Sequence, residues 1–429
     1  MKVGFFFENG ERDEGRDLRN IASNSPSMAG TPFMFYLMSH LLGVRENGIE
    51  VTLFLRNEMT FAEAVHVELI TSLADALDKC ELLNIEYLVV KHTNNYWETI
   101  RRKSPNDKTK IIIWCHNFVP FKLLTDYAKC KAVERLICVG REQADVYRDH
   151  RAFTKTDWIY NCVTTPNYEI APTGCRKPIV TYIGAIIPGK GFHLLARAWP
   201  QVLKAIPEAE LYVIGNGRLY GGEDEFGKWN LAEKNYEDSF MGYLTKNDKL
   251  LPGVHLMGIL GNEKFDILKE TKVGVPNPSG LTETFCISAV EMQLMGASIA
   301  SKQCVGYMDT VRNGTLVNSP NQLADCIIKE LRSQEDHYEQ TRQYIIDNFS
   351  QDAVAHQWEL LLLEAIPNKK KLHQDLPIIH PDFEMKKWKE RSRRLKMKYP
   401  VLYSFMPSIG HLYEIWKKVC WAVWKRINR

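Results

Sequence analysis

The sequence predicts an α/β protein: two doubly wound, Rossmann-like domains facing each other across a cleft, followed by a C-terminal helical basic tail. Three observations predict it. Short β-type apolar runs alternate with amphipathic helical stretches, and this alternation stops at a turn-rich segment and then restarts. The chain has 429 residues, whereas a single domain ordinarily stops growing near ~250–300. Strands separated by helices make βαβ units, and so a parallel sheet covered on both faces.

The first domain is expected over 1–168. Its strands are Lys2–Phe7, Glu50–Leu55, Tyr87–Val90, Ile111–Trp114, Leu136–Val139 and Trp158–Tyr160, with amphipathic helices over Phe33–Asn47 and Thr60–Leu83. The stretch Thr164 to Tyr168, continuing through Pro172-Thr173-Gly174, reads as the linker. The second domain, 169–350, restarts with strand Ile179–Ile183, a glycine loop, helix Phe192–Ala205 and strands Glu210–Ile214, Val254–Leu256 and Val273–Pro276. A helix near Cys286–Met295 and strand Ser298–Ala300 follow. Between Gly217 and Pro252 lies a polar insertion, with Tyr220 to Glu225 at its start, too long for a plain αβ connection. Gln351–Ala365 is a closing helix within 351–366, and 367–429 is the tail.

Composition narrows the class. With 45% hydrophobic and 25% charged residues and a mean hydropathy of −0.29, the chain is not disordered, collagenous or a polytopic membrane protein. Charge interrupts the apolar stretches well before the ~18–20 residues a spanning helix needs. Glu8 arrives too early for a signal peptide, so the start reads as a first strand and the expected compartment is the cytoplasm. Ten cysteines without a C-x-x-C pair read as reduced thiols, and the sequons at Asn313 and Asn348 as chance matches. The net charge of +3 hides an asymmetry: Pro381 to Arg429 carries 13 Lys and Arg against 4 Asp and Glu, leaving the remainder at −6. The tail, not the body, is therefore expected to meet an anionic surface.

Gly184-Ala185-Ile186-Ile187-Pro188-Gly189-Lys190-Gly191 follows a strand and opens a helix. It almost spells a Walker A loop, but Gly191 stands where a hydroxyl must hold Mg²⁺. What remains is a helix N-terminus with one lysine, which is either an anion site for a phosphate ester or a tight turn with a solvated lysine. Val213-Ile214-Gly215-Asn216-Gly217 ends the next strand; Tyr220 replaces the third glycine of a dinucleotide fingerprint, so this is a backbone turn facing a ligand or a plain loop.

The most specific signal is Asn277-Pro278-Ser279-Gly280-Leu281-Thr282-Glu283-Thr284-Phe285, running on to Glu291. Glu283 and Glu291 are eight residues apart, about 80° around a helix and ~12 Å along it. That is too far for an acid/base pair on one bond. The spacing suits two ends of one elongated, hydroxyl-rich ligand, because carboxylates accept from sugar and ribose hydroxyls. Ile287, Ala289, Val290 and Leu294 make the surrounding helix apolar, which argues against a merely solvated acidic face.

These residues resemble the E-x7-E signature of retaining GT-B glycosyltransferases, in particular the "group 1" family 4, and the resemblance runs in order over most of Met1–Ala365. Ala29-Gly30-Thr31 resembles the family's first glycine turn, and Trp114-Cys115-His116-Asn117 its strand-end histidine. Leu136 to Gly140 is similar to the "hydrophobic strand then serine" segment, with Gly140 in the serine's place, and Ile159 to Val163 to the asparagine-containing entry to the linker. Gly184 to Gly191 resembles the donor-phosphate loop and Val213–Gly217 the V-x-G-x-G turn.

The resemblance implies a donor site of Gly30, Gly184, Lys190, Gly215, Gly217, Leu281, Thr282, Glu283, Thr284, Phe285 and Glu291, with His116, Lys190 and Glu283 catalytic. Lys190 would neutralise the diphosphate, Glu291 bind the ribose, Glu283 and the amides of Leu281–Phe285 hold the donor sugar, and His116 contact it from the first domain. The anomeric configuration would be retained. Two positions depart from the pattern: Ala185 stands where the family usually has arginine, and Cys286 where it usually has glycine. One diphosphate contact is then missing, or another basic residue supplies it.

The residues alone agree. No Asp-x-Asp pair, Ser/His/Asp arrangement or metal-ligand spacing stands out, so no metal or permanently bound cofactor is expected, and a nucleotide-diphosphate-sugar is the co-substrate. His116 is either a sugar-binding group or a core histidine satisfied at a strand end; the other histidines receive no role. In Ile409–Arg429, Ile409, Leu412, Tyr413, Trp416, Val419 and Cys420 fall on one helical side, continued by Val423 and Ile427. Lys417, Lys418, Lys425, Arg426 and Arg429 flank or oppose them, with Trp421 and Trp424 at the boundary. That pattern suits a helix lying in a membrane interface, with Lys386–Lys398 adding attraction to anionic lipid, or else a helix packed on the protein's own body. No nucleic-acid-reading motif accompanies the charges.

The function expected is transfer of a sugar to a hydroxyl of a glycan or lipid-linked glycan, in surface polysaccharide or lipopolysaccharide synthesis, on the inner face of the cell membrane. The alternatives are a non-catalytic nucleotide-sugar or phosphoglycan binder, for which Ala185 is the hint, and another GT-B enzyme such as a sugar-nucleotide epimerase. The nucleotide base, sugar, acceptor and linkage are not legible.

Overall fold

Apolar runs without polar alternation become the strands of two wholly parallel sheets, each buried between helices. The computed structural model describes residues 1–24, 26, 28–103, 108–220, 225–373 and 377–427. The first sheet contains β1 (Lys2–Phe7), β2 (Glu50–Leu55), β3 (Val65–Leu69), β4 (Tyr87–Lys91), β5 (Lys110–Cys115), β6 (Val133–Cys138) and β7 (Thr156–Trp158), in the order β3-β2-β1-β4-β5-β6-β7. Next come β8 (Ile179–Ile183), β9 (Glu210–Ile214), a hairpin of β10 (Thr245–Lys246) and β11 (Lys249–Leu250), β12 (Val254–Gly258), β13 (Val273–Gly274), β14 (Ser298–Lys302) and β15 (Gly314–Val317). The second sheet runs β12-β9-β8-β13-β14-β15. Each order reverses once, between β1 and β4 and between β8 and β13, and open α/β sheets bind ligands beyond the carboxyl ends of the strands at such a reversal.

Several expectations differ from the structure, among them the strands predicted over Leu136–Val139 and Val273–Pro276, which run Val133–Cys138 and Val273–Gly274, and the helix over Phe33–Asn47, which runs Gly30–Val44. The single helix over Thr60–Leu83 is instead β3 followed by a helix Leu73–Leu83. Val65, Val67 and Leu69 alternate with polar residues, the period of an edge strand, and Ser72 then accepts from Asp75 N–H to cap a new helix. The strand predicted over Trp158–Tyr160 ends at Trp158. The helix Val305–Thr310 and the edge strand β15 were not foreseen. Within the insertion, a helix Lys234–Met241 and the β10–β11 hairpin are present, and the buried Glu237 accepts backbone N–H groups of Trp229, Leu231 and Ala232 at 2.7–3.1 Å. Gly221, Gly222, Glu223 and Asp224 lie outside the described residues.

After the second sheet the chain returns to the first domain. Val163 bridges Ser350, and helix Gln351–Leu360, continued by a π turn to Ala365, packs Trp358 against Trp114 (4.9 Å between centroids) and Phe5 (6.0 Å). Arg45 pairs with Glu359 and Asp352, each at 2.8 Å. The tail then forms helices Lys386–Lys398, Leu402–Phe405 and Ile409–Ile427. Its lysines correct an expectation: Lys386, Lys389 and Lys396 are buried against the first domain and do not face outward toward lipid. Asn428 and Arg429 lie outside the described residues, as do the side chains of Lys417 and of Trp421 to Ile427. Among the described residues no helix is long and apolar enough to cross a membrane.

Candidate functional site

Where the second sheet reverses, two loops leave the carboxyl ends of β8 and β13 and meet. The first begins at Gly184, whose N–H bonds Ile214 O at 3.1 Å, and passes through one 3₁₀ turn, Pro188–Lys190, to Gly191. Gly191 has φ +76°, and a Cβ there would stand 2.7 Å from Ser279. Glycine thus sets the helix entry angle and lets the second loop come close. Ser279 Oγ, in that second loop, donates to Gly189 O at 2.7 Å.

The second loop carries the acids. Glu283 precedes the helix Ile287–Leu294, and Glu291 lies within it. Glu283 Oε2 accepts from Lys190 Nζ at 2.8 Å and from Asn277 Nδ2 at 3.0 Å. Glu291 Oε1 accepts from Lys264 Nζ at 2.7 Å. Thr282 (φ +55°) and Cys286 (φ +68°) hold left-handed backbone, conformations that cost a non-glycine residue on the order of 1–2 kcal/mol. The Cys286 angle explains why glycine suits that position in the family it resembles.

Lys190, Glu283 and Glu291 line one interdomain cleft of about 450 Å³, together with Gly184, Gly215 and Lys264. Gly30, His116, Asn117 and Asn161 line its first-domain wall. Thr282, Thr284 and Phe285 also border it. Two predicted residues do not: Gly217 packs against Phe226 and Ala232, and Leu281 is exposed, its carbonyl bonded by Asn277 Nδ2 at 3.3 Å.

The first-domain side of the lining carries no Lys, Arg, Asp or Glu among the described residues, and aromatic rings back its His116. His116 stacks near Trp114 (4.4 Å) and Phe35 (5.7 Å), and both its buried ring nitrogens lack a partner among the described residues. Burial, with His92 adding to the effect and Asn161 opposing it, pushes its pKa down to about 3, so it is neutral at physiological pH. Hydrogen bonds join the two domains beside the cleft: Thr284 Oγ1 donates to His116 O at 2.6 Å, and Glu142 N–H to Asp309 Oδ2 at 2.8 Å. Burial lifts the Asp309 carboxyl to about 7.

Sequence reasoning missed Lys264, Asn277 as the partner of Glu283, and Asp309. Asn277 stood inside the quoted motif. Lys264 carried no signal, because a lone lysine after a strand looks like any solvated one. Among the described residues, no group of His, Cys, Asp and Glu is arranged to hold a metal ion.

Residues 177–333, which contain both loops, match the family model described as Glycosyl transferases group 1. The chain resembles a group 1 glycosyltransferase. Solved structures show the fold to be GT-B. A glycosyltransferase from Rickettsia africae superposes with a TM-score of 0.60 at 12% identity, covering 85% of this chain and 98% of that one. The lipopolysaccharide outer core galactosyltransferase WaaB gives 0.55 at 12%, covering 85% and 99%. S. aureus TarM gives 0.50 at 14%, covering 66% of this chain, which spans only 57% of TarM. No curated protein matches the sequence. The group 1 match falls within the second domain, and the first domain carries the likeness through its fold alone.

Proposed function

We propose that the protein is a retaining glycosyltransferase that moves a sugar from a nucleotide-diphosphate-sugar to a hydroxyl of a glycan or lipid-linked glycan, in surface polysaccharide or lipopolysaccharide assembly. One observation carries the reading: Lys190, Glu283 and Glu291 border a single cleft with His116 across from them. In this reading the diphosphate lies at the Gly184–Gly191 loop, where helix N-terminal amides and Lys190 meet its charge. Lys190 then exchanges Glu283 for phosphate, which frees the carboxylate for sugar hydroxyls. Glu291 takes the ribose, and Lys264 supplies the cation absent at Ala185.

His116, uncharged, orients the sugar by hydrogen bonds and is not a proton donor at neutral pH. The lysines and amides carry the leaving group's charge, so turnover is expected to be unchanged by EDTA. The TarM structure contains UDP, which makes uridine nucleotides the first donors to try. A lipid-linked acceptor fits the Ile409–Ile427 helix, whose Leu412, Trp416 and Val419 are exposed; this exposure supports a site of action on the inner face of the cell membrane.

The test is donor hydrolysis. Slow release of nucleoside diphosphate is expected from the wild type, and a loss on the order of 10²–10³ in rate from Lys190→Ala and Glu291→Ala. Tight donor binding with no turnover on any acceptor would instead favour a binding protein, the reading to which Ala185 points.

A further inference from the structure

The helix Lys386–Lys398 is folded inside out. Positions 386, 389, 390, 393 and 396 recur at the spacing that ordinarily forms an apolar face, and they are Lys386, Lys389, Glu390, Arg393 and Lys396. This charged face turns inward. Lys386, 1% exposed, lies 2.5 Å from Glu142 Oε1 and 3.7 Å from Asp145 Oδ2. The buried Arg148 joins Asp145 (2.6 Å) to Glu390 (3.0 Å), and Lys396 Nζ reaches Asp149 Oδ2 at 3.4 Å and its carbonyl at 3.0 Å. Against the cost of burial, hydrogen bonds from Arg393, Arg148 and Arg394 hold the Glu390 carboxyl down at about 2. Burying this many charges is tolerated only because they are paired.

The outward side mixes exposed hydrophobics with basic residues. Trp388, Leu395, Met397, Tyr399, Val401 and Phe405 are all exposed, Phe405 by 78%. Single exposed hydrophobics are ordinary, but a run of this density marks an interaction surface. The chemistry of its rim identifies the partner. Among the described residues 386–420, the exposed charges are Lys387, Arg391, Arg394, Lys398 and Lys418, all positive, while Glu390 is buried and Glu414 half-buried. Arg391 lies over Trp388 at 5.1 Å and Lys398 over Tyr399 at 5.3 Å, aromatic and cationic groups layered as at a membrane–water interface.

We propose that residues 388–405 are a second membrane-docking surface, which seats Val401 and Phe405 among the headgroups of an anionic bilayer beside the Ile409–Ile427 helix. The inference rests on the membrane site of action proposed above and extends it from the basic cluster Lys386–Lys398 to the exposed hydrophobic residues beside it. Lys396 and the Ile409 N–H both bond Asp149 of the first domain, the latter at 2.7 Å. Docking therefore holds the acceptor-side domain against the lipid.

Flotation of the full chain with vesicles of phosphatidylcholine alone, and with phosphatidylglycerol added, tests this. The wild type is expected to float with the anionic vesicles and, less so, at high salt. Val401→Asp with Phe405→Asp, and separately Arg391→Glu with Lys398→Glu, should each lower partitioning at least about tenfold, with melting temperature and the nucleotide-sugar thermal shift unchanged. Undiminished flotation of either double variant would overturn the proposal, as would a wild type that stays with the soluble fraction. So would a dimer that Val401→Asp with Phe405→Asp converts to monomer, which would assign the surface to a second copy. The two readings fail separately: a wild type that floats but neither binds nor turns over any donor sinks the transferase reading alone, whereas one that turns over donor but does not float sinks this one.

Discussion

The two walls of the cleft are built on opposite principles. The second-domain wall is made of loops: two lysine–glutamate pairs, left-handed backbone at Thr282 and Cys286, and glycines at close approaches of the chain. The first-domain wall presents the neutral His116, backed by a packed aromatic layer of Phe35, Trp114 and, from the returning helix, Trp358. The difference teaches where adaptation lies. Charges already paired to one another can exchange partners when an anionic ligand arrives, at little desolvation cost, whereas a packed wall can only present a fixed shape.

The comparison is broken most severely through backbone contact on the second-domain wall. Gly215 has φ +119°, and a Cβ would lie 2.1 Å from Gly184 O. Gly215→Ala is expected to cost at least ~3 kcal/mol, to abolish the donor thermal shift and to leave the first domain's urea transition in place. An unchanged shift would show that the close approach of Gly215 to Gly184 does not shape the cleft.

His116 sharpens the other wall. Its folded pKa is about 3 against an unfolded value near ~6.5. Below pH 6.5 the unfolded chain therefore binds a proton that the folded wall does not. The stability is fully present above that pH and is lost as pH falls toward 3, with a slope of up to ~1.4 kcal/mol per pH unit. His92, pushed down to about 4 chiefly by burial, acts in the same direction. His116→Phe should reduce the acid slope between pH 6 and 4.5 by about one proton, measured by urea unfolding at several pH values. An identical slope would mean that the wall admits a charged imidazole.

The smallest expected effect lies at Cys286. Cys286→Gly relieves a strained φ but removes a buried thiol, so stability should change by less than ~1 kcal/mol, with donor affinity retained. A large loss would mean that the thiol, not the backbone, shapes the sugar-facing loop.

Much of this was legible in the chain. Buried parallel strands are continuous apolar runs, so β1, β2, β8 and β9 stand at the predicted residues. The lysine loop and the glutamate pair carry local motifs, and these were readable as motifs. What was not readable depends on partners distant in sequence. Lys264 matters only because Glu291 lies 2.7 Å away, and β3 is a strand only because β2 offers it an edge. The direction of the Lys386–Lys398 helix shows the limit most plainly, since its composition reads as solvated charge until Glu142, Asp145 and Asp149 are placed beneath it.

By itself, then, the sequence determined the two doubly wound domains, the phosphate-type loop and the acidic pair, because periodicity, glycine placement and short spacings are properties of neighbouring residues. Only the tertiary structure decided which charges neutralise one another, that His116 is uncharged, and that the tail buries Lys386, Lys389 and Lys396 while Trp388, Tyr399 and Phe405 stand exposed. Electrostatic energy and burial depend on distances between segments that are far apart along the chain, and folding alone sets those distances.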